Sequence, residues 1–170
     1  MEGLQFRIAT ADELPFIWEI LKQAISRRKK DGSNQWQDGY PNPTVIQDDI
    51  TKGCGFVLLK GKTIVGYTAI LINDEPEYAR LEGEWLSNED FVVFHRVAIS
   101  QDYLGKGLAK KLFLYIEEFA KQHKINSVKA DTNFDNPAML SLFDKLGYRY
   151  CGQVYFRGSP RKAYEKLLQL

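Results

Sequence analysis

The stretch from residue 91 to residue 133 constrains the fold most, because three segments of one structural unit follow one another there. The nearly continuous apolar run "FVVFHRVAIS" predicts a strand that is covered on both faces. A loop with Gly105 and Gly107 comes next, followed by an amphipathic helix and by the strand-like run "NSVKADT". The apolar stripe of the helix consists of Leu108, Leu112, Ile116 and Phe119. This order predicts one parallel strand pair with a right-handed crossover.

The rest of the chain predicts antiparallel strands and three further helices. Strand-like runs are "LQFRIA", the hairpin "GFVLLK" and "TIVGYTAILI", and the closing pair "YRYCGQVYF" and "KAYEKLLQL". Thr10 and Glu13 form a capping box before one helix, and Gly53 ends a second, short one. Pro137 and Gly147 bracket the third. The polar segment "NDEPEYARLEGEWLSNED" predicts at most a partial strand. The fold class is therefore α/β, a mixed and mostly antiparallel central sheet with helices on both faces.

Length and composition restrict the class of protein. The 170 residues, of which 44% are hydrophobic and 26% charged, predict a single globular domain over residues 1–170. The 23 basic and 22 acidic residues nearly cancel, which argues against a nucleic-acid or membrane partner. The two cysteines, Cys54 and Cys151, provide neither a disulfide framework nor a metal cluster. We therefore expect no bound metal. The first residues contain no long apolar stretch, so we expect a cytoplasmic protein.

The glycine loop predicts an anion-binding site, because backbone N–H groups and the helix dipole both favour negative charge there. Lys106 and Lys110 would add positive potential. A tight turn without a ligand is the alternative. The spacing does not match a P-loop, and a dinucleotide fingerprint would need Gly or Ala where Lys110 stands. In that second interpretation, an NAD(P)-dependent oxidoreductase, Asp131 would be the ribose-binding acid, but too little chain follows for a six-stranded parallel sheet.

The segment "HRVAISQDYLGKGLAKKLF" resembles the signature of the GNAT superfamily of acetyl-CoA-dependent N-acetyltransferases. That signature has Arg or Gln, two residues, Gly, one residue, and then Gly or Ala. In the frame "LGKGLA", Gly107 and Ala109 match, whereas Leu104 departs from Arg or Gln. A later segment, "NPAMLSLFDKLGYRYCG", resembles a second family motif. Its matching residues are Asn136, Lys145, Leu146, Gly147 and Tyr148.

The resemblance implies the GNAT-like acyl-CoA N-acyltransferase fold, in which the parallel strand pair is splayed. It also implies acetyl-CoA as co-substrate, with its pyrophosphate on the glycine loop and its pantetheine along the strand before it. The cofactor-binding residues implied are Val97, Ala98, Ile99, Leu104, Gly105, Lys106, Gly107, Leu108, Ala109, Lys110, Asn133, Asn136 and Phe143. The strand carries a bulge in the family, and a free N–H at Val97 would polarise the thioester carbonyl.

Acetyl transfer to an amine also needs a group that takes a proton, because an alkylammonium has a pKa of about 10.4. The candidates are Glu82, Glu84, Glu89, Asp90 and His95. We assign catalytic roles to Val97, Glu84 and His95, although a histidine in an apolar strand is often a hydrogen-bonded core group. Glu84 adjoins Trp85 and suits a cationic substrate, and Trp36 and Tyr40 would form the other wall. Packing over the edge of the core is the alternative for both aromatic residues.

Family members often carry a tyrosine that protonates the leaving thiolate, and Phe143 stands in that place here. The function predicted is N-acetyltransfer from acetyl-CoA to a primary amine of a small molecule or peptide, by direct attack in a ternary complex. Because the acid is missing, a non-catalytic acyl-CoA-binding sensor of the same fold is the alternative. The sequence identifies neither the acceptor nor the oligomeric state, and a homodimer is one of the states left open.

Overall fold

The computed structural model describes residues 3–170. Over these residues the helices α1 to α4 are Leu14–Lys30, Pro43–Thr51, Leu108–Gln122 and Pro137–Lys145. The strands β1 to β8 are Leu4–Ile8, Gly55–Lys60, Thr63–Ile72, Glu82–Gly83, Val92–Ile99, Ser127–Asn133, Arg149–Phe156 and Ser159–Leu167.

The strands form an eight-stranded sheet in the order β1-β2-β3-β5-β6-β8-β7-β4. Strands β5 and β6, which flank α3 in the chain, are parallel, with Val92 opposite Val128 and Val93 opposite Lys129. The pairs β1/β2, β2/β3, β6/β8, β7/β8 and β4/β7 are antiparallel. This mixed, mostly antiparallel sheet with helices around it confirms the predicted fold class.

The contacts group the chain into two compact units, each described by itself below. The first unit runs up to Ile70 and includes Arg96–Tyr115, and the second comprises Leu71–His95 and Ile116–Leu170. The prediction of a single domain over residues 1–170 stays a prediction.

The core of the first unit lies under one face of α1. Ile17 and Leu21, two apolar residues about one helical turn apart, are completely buried. They belong to a cluster with Ile46 of α2 and with Val57 and Tyr67 of the hairpin. The periodic spacing of apolar residues therefore predicts the buried face of α1 correctly.

A capping box precedes α1, as the sequence predicts, although the residues it caps form a 3-10 turn, Ala11–Glu13, before the α-helix starts. The Thr10 backbone N–H donates to Glu13 Oε1 at 2.8 Å. Arg7 of β1 donates to both oxygens of the same carboxylate, at 2.9 and 2.7 Å. The Arg7 hydrogen bond, assisted by the Thr10 N–H, lowers the pKa of Glu13 to about 2.

The second unit contains the segment that the sequence left mostly unassigned. Between β3 and β5 the chain forms a 3-10 turn, Pro76–Arg80, and the short strand β4, which pairs with β7. Gly83 of β4 has φ 147°, and a Cβ there would collide with the backbone carbonyl of Cys151. Glycine therefore permits the close approach of the two backbones.

Two sets of side chains hold this unit together. Glu165 of β8 is completely buried and accepts hydrogen bonds from Leu86 N (2.7 Å), Ser87 Oγ (2.8 Å) and Ser127 Oγ (2.7 Å). These bonds fasten the segment after β4 to the strands β6 and β8. The apolar cluster beside them contains Tyr78, Val93, Val154 and Ala163, with Trp85 and Phe91 packed against it.

Candidate active site

The glycine loop lies in the first unit, between β5 and α3. After a 3-10 turn at Gln101–Tyr103, Gly105 and Gly107 adopt φ values of 74° and 75°. Only glycine adopts this left-handed conformation readily, so both positions need glycine. Neither has a heavy atom of the protein within 4 Å of the place of a Cβ, which leaves the loop open for a group outside the chain.

The start of α3 exposes unpaired backbone donors beside that loop. The first helical hydrogen bond runs from Lys111 N to Gly107 O, at 3.2 Å. The N–H groups of Leu108, Ala109 and Lys110 therefore precede the helical ladder. Gly107, at the cap position, has no side chain that could accept from them. These donors fit an anion, and the loop thus suits the pyrophosphate of a coenzyme.

The side chains of the loop agree with that role only in part. Lys106 and Lys110 are exposed, and Lys106 Nζ lies 5.3 Å from the centroid of the Tyr103 ring. Leu104, which stands where the family signature has Arg or Gln, is 44% exposed. Leu108 is buried under the helix. Positive charge beside the loop therefore comes from the two lysines and the helix dipole.

Strand β5 changes conformation in its middle. Arg96 has φ 59°, the left-handed region that a non-glycine residue seldom enters, and this is where the resemblance implies a bulge. Val97, Ala98 and Ile99 follow, and all three are buried. The parallel register with β6 extends over Val92 and Val93 alone. The resemblance places pantetheine along Val97, Ala98 and Ile99, which follow the residues of β5 that are paired with β6.

Tyr40 belongs to a largely buried polar network around Arg96, and its predicted place in an acceptor pocket stays a prediction. Arg96 donates to Asp49 Oδ2 from Nε at 2.9 Å and to Asp49 Oδ1 from Nη2 at 2.6 Å. Its Nη1 donates to the Tyr40 hydroxyl at 2.5 Å, and Tyr67 donates to Asp49 Oδ2 at 2.6 Å. The pKa of Arg96 is raised by Tyr40 and Asp49 despite its burial.

Trp36 is 5% exposed, and the Arg28 guanidinium lies 3.8 Å from its ring centroid. Burial lowers the pKa of Arg28 to about 10. In the first unit, the packing alternative thus describes both Trp36 and Tyr40 as the structure has them. Glu84 and Trp85, the other proposed pocket residues, belong to the second unit.

The second unit brings His95 together with two carboxylates. His95 Nε2 lies 2.8 Å from Glu75 Oε2, and His95 Nδ1 lies 4.0 Å from Asp131 Oδ2. Tyr78 donates from its hydroxyl to Asp131 Oδ2 at 2.7 Å, and Arg161 Nη1 is 3.8 Å from Asp131 Oδ1. Burial, with Asp131 beside it, raises the pKa of Tyr78 well above its usual value, so the phenol stays a hydrogen-bond donor.

This cluster places the imidazole of His95 between the carboxylates of Glu75 and Asp131, so that three groups able to act as acid or base lie together. Glu75 also lines a cavity of about 360 Å³ in this unit, and Glu75 therefore connects the cavity with His95. Sequence reasoning selected His95 but missed Glu75. The only local signal was its place in the acidic segment "NDEPE", which the sequence left unassigned.

Five other predicted acidic or aromatic residues have different surroundings. Glu84 is exposed, and its backbone N–H donates to Cys151 O at 3.0 Å. Glu82 accepts from the Tyr155 hydroxyl at 2.9 Å, and Asp90 accepts from Asn73 at 3.1 Å. Trp85 lines the cavity, as Glu89 does, and its Nε1 donates to Tyr78 O at 2.9 Å. Of the predicted pair Glu84 and Trp85, the cavity therefore contains only Trp85 among its lining residues.

The remaining cofactor-binding predictions fall around α4. Asn136 Oδ1 accepts from Met139 N at 3.2 Å, so this asparagine is the N-cap of α4. Asn133 donates to Asp135 at 2.8 Å. Phe143 is completely buried, and its ring stacks on Tyr164 with centroids 4.6 Å apart. Its contact with the coenzyme stays a prediction.

Among residues 3–170, no group of three or more His, Cys, Asp and Glu side chains is arranged to hold a metal ion. No helix in the same range is long and apolar enough to cross a membrane.

Comparisons with known proteins agree with the motifs. The model of the Acetyltransferase (GNAT) family matches residues 17–148. The uncharacterized N-acetyltransferase YesJ of Bacillus subtilis is 25% identical over 146 residues, which cover 85% of this chain and 81% of YesJ. A solved acetyltransferase of the GNAT family from Streptococcus agalactiae superposes with a TM-score of 0.89 and is 36% identical, covering 99% of this chain and 98% of that one.

A structure from Salmonella typhimurium, the acetyltransferase yncA with its cofactor acetyl-CoA, has a TM-score of 0.70. At 17% identity over 99% of this chain and 95% of that one, its likeness shows the fold alone. GNAT acetyltransferases use acetyl-CoA, which confirms the co-substrate predicted from the motifs. The family match over residues 17–148, together with the likeness to the Streptococcus agalactiae protein, shows that this chain belongs to the acetyltransferase (GNAT) family.

Proposed function

We propose that this protein is an N-acetyltransferase that transfers the acetyl group of acetyl-CoA to a primary amine by direct attack in a ternary complex. The observation that carries the proposal is the open glycine loop at the start of α3. Gly105 and Gly107 leave space for an anion, and the N–H groups of residues 108–110 are free of the helical ladder.

The first unit supplies the groups proposed for the coenzyme. The N–H groups at the start of α3 bind the pyrophosphate, and Lys106 and Lys110 add positive charge. The backbone of Val97, Ala98 and Ile99 pairs with the pantetheine, while the side chains of these residues remain in the core. The Val97 N–H polarises the thioester carbonyl, where negative charge develops as the amine attacks.

The second unit supplies the groups proposed for the amine. An amine must lose a proton to attack, and Glu75 faces the cavity with His95 behind it. Glu75 accepts the proton of the amine. His95, which lies next to Glu75, and Asp131 stabilise the protonated cluster. We prefer Glu75 to Glu84 as the acid–base group because Glu84 is exposed and does not line the cavity.

The leaving thiolate needs little help. A thiol has a pKa of about 8.5, so the thiolate leaves without complete protonation. Phe143 stands where family members often have a tyrosine that protonates the leaving thiolate. Its side chain is buried among aromatic rings and has no proton to donate. The same observation favours the second candidate function, a sensor that binds acyl-CoA without turning it over.

An acceptor screen with acetyl-CoA distinguishes the two functions. Release of free CoA thiol is measured across a panel of primary amines, and binding of acetyl-CoA is measured separately by calorimetry. An enzyme shows amine-dependent thiol release above the rate without amine. Binding without release in any reaction supports the sensor, and the absence of binding contradicts both functions.

A further inference from the structure

Lys129 of β6 is a lysine with little exposure whose ammonium group lies against two aromatic rings. The residue is 4% exposed, and its Nζ lies 4.3 Å from the Trp85 ring centroid and 4.2 Å from that of Phe91. Among residues 3–170, no side chain accepts a hydrogen bond from this ammonium group. Burial lowers its pKa, and the attraction of Glu165 opposes that shift.

The nearest buried carboxylate is already committed to other donors. Glu165 stands opposite Lys129 in the β6/β8 register. Its Oε1 accepts from Leu86 N, and its Oε2 accepts from both Ser87 Oγ and Ser127 Oγ. The two aromatic faces attract the ammonium but offer no hydrogen-bond acceptor. Because Lys129 lines a cavity, its ammonium donors are available to a group bound there.

Lys129 lines the same cavity as Glu75, so one cavity contains charges of both signs. Asn88 lines it as well and can donate hydrogen bonds to an anion, whereas the Ser87 hydroxyl already donates to Glu165. Pro76, Ala79 and Trp85 provide apolar wall. Lys129 and Asp131 lie on the same face of β6, about 7 Å apart along the strand, and Asp131 is next to His95. The cavity therefore offers Lys129 to an anionic group and Glu75, with Asp74 and Glu89, to a cationic group.

We propose that this cavity binds the acceptor as an aminocarboxylate, an amino acid or a close analogue, with the carboxylate on Lys129 and the amine at Glu75. This inference rests on the proposed acetyl transfer and specifies its substrate class. The anion completes the hydrogen bonding of the buried ammonium, and a carboxylate does so in a charge-assisted way. The amine is thereby held beside the group that takes its proton.

Matched pairs of acceptors test the proposal. The pairs are L-phenylalanine with phenethylamine, L-leucine with isoamylamine, and L-methionine with 3-(methylthio)propylamine, which differ only in the carboxylate. For the wild-type protein, we expect kcat/KM from thiol release to be at least about 10-fold higher for the amino acid of a pair that is used. A charge-assisted hydrogen bond of this kind supports a preference of that size.

The variant Lys129→Met should lose the preference, because KM rises more for the amino acid than for the decarboxylated amine. Lys162→Met is the matched control, because Lys162 of β8 also lies near aromatic rings, those of Phe134 and Tyr150, but does not line the cavity. Lys129→Gln provides a second variant if the methionine variant does not fold, as judged by circular dichroism.

A binding measurement separates this inference from the proposed reaction. Calorimetry with each member of the pairs, in the presence of CoA, needs no turnover. Binding of amino acids that depends on Lys129 supports the site even if no thiol is released, in which case only the proposed reaction fails. Equal use or equal binding of the decarboxylated amines, a preference that survives in Lys129→Met, or no binding by any member of the panel would overturn the inference.

Discussion

Arg96 reaches the Asp49 carboxylate of α2 with two hydrogen bonds, at 2.9 and 2.6 Å, from a backbone that is left-handed in the middle of a strand. A non-glycine residue in that conformation costs on the order of 1–3 kcal/mol and persists where surrounding contacts determine it. The ion pair is such a contact, because both side chains are nearly buried and Asp49 also accepts from Tyr67. We infer that Asp49 maintains the conformation of β5 just before Val97.

The first prediction concerns this ion pair. Asp49→Asn should lower the free energy of unfolding by about 3–5 kcal/mol, because it leaves the buried guanidinium without its counter-charge. Urea denaturation measures the change. Asp48→Asn, an exposed change one residue away, should stay within about 0.5 kcal/mol of the wild type. Similar small effects for both variants would mean that the pair does not maintain the strand.

The second prediction concerns the glycine loop. Gly107→Val should weaken acetyl-CoA binding at least about 10-fold, because a β-branched residue resists φ 75° and its side chain would occupy the open space of the loop. Calorimetric titration with acetyl-CoA measures the affinity. Gly61→Val is the control, since Gly61 has φ 61° and equally open surroundings in the hairpin turn between β2 and β3. Unchanged affinity in a folded Gly107→Val protein would remove the loop from the coenzyme site.

The third prediction tests the proton acceptor. Glu75→Gln and His95→Gln should each lower kcat by about 10²–10⁴-fold while acetyl-CoA binding stays unchanged, because a positioned base contributes that much. Steady-state thiol release measures kcat. Glu77→Gln is the matched control, because Glu77 is two residues from Glu75 and pairs with Arg80 at 4.0 Å. A larger loss of kcat in Glu84→Gln than in Glu75→Gln would support Glu84 as the catalytic carboxylate, as predicted from the sequence.

The fourth prediction concerns Phe143. Phe143→Tyr should destabilise the protein by about 1–3 kcal/mol, because the new hydroxyl enters a completely buried aromatic cluster with Phe94, Tyr148 and Tyr164. Turnover per folded molecule should change little. Urea denaturation and thiol release measure the two effects. A rise in turnover of 10-fold or more, about the effect of a weak general acid, would show instead that the hydroxyl reaches the leaving thiolate.

The fifth prediction is a dependence of stability on pH. The pKa of Glu13 is about 2 in the folded protein, below the value of about 4.3 of a free glutamate. Because the folded pKa is depressed, the Arg7–Glu13 contact stabilises the protein fully above about pH 5, and this contribution is lost as pH falls towards 2.

Glu13→Gln should therefore cost about 0.5–2 kcal/mol at pH 7, and the difference from the wild type should shrink between pH 5 and pH 2. Urea denaturation at a series of pH values follows it. Glu19→Gln is the control, because Glu19 forms an exposed pair with Lys22 at 2.9 Å. A difference that grows on acidification would contradict the assignment.

Local patterns in the sequence determined the elements of the fold and the family. The glycine loop between an apolar strand and an amphipathic helix predicts the parallel pair and the anion site, because each of these signals lies within a few consecutive residues. The capping box at Thr10 and the Pro137 and Gly147 boundaries of α4 are local in the same sense. A signal that depends on neighbours along the chain can be recognised without knowing the tertiary structure.

Only the tertiary structure decided which side chains meet. Glu75, His95 and Asp131 come from three segments separated by 20 or more residues, and their contact depends on strand pairing that no local pattern specifies. The hydrogen bond between Tyr40 and Arg96, 56 residues further along the chain, could not be read from the sequence either. The role proposed for Lys129 depends on its contacts with Trp85 and Phe91 and on the cavity that these three residues line. Hydrogen bonds and burial depend on distance in space, whereas the sequence orders residues only along the chain.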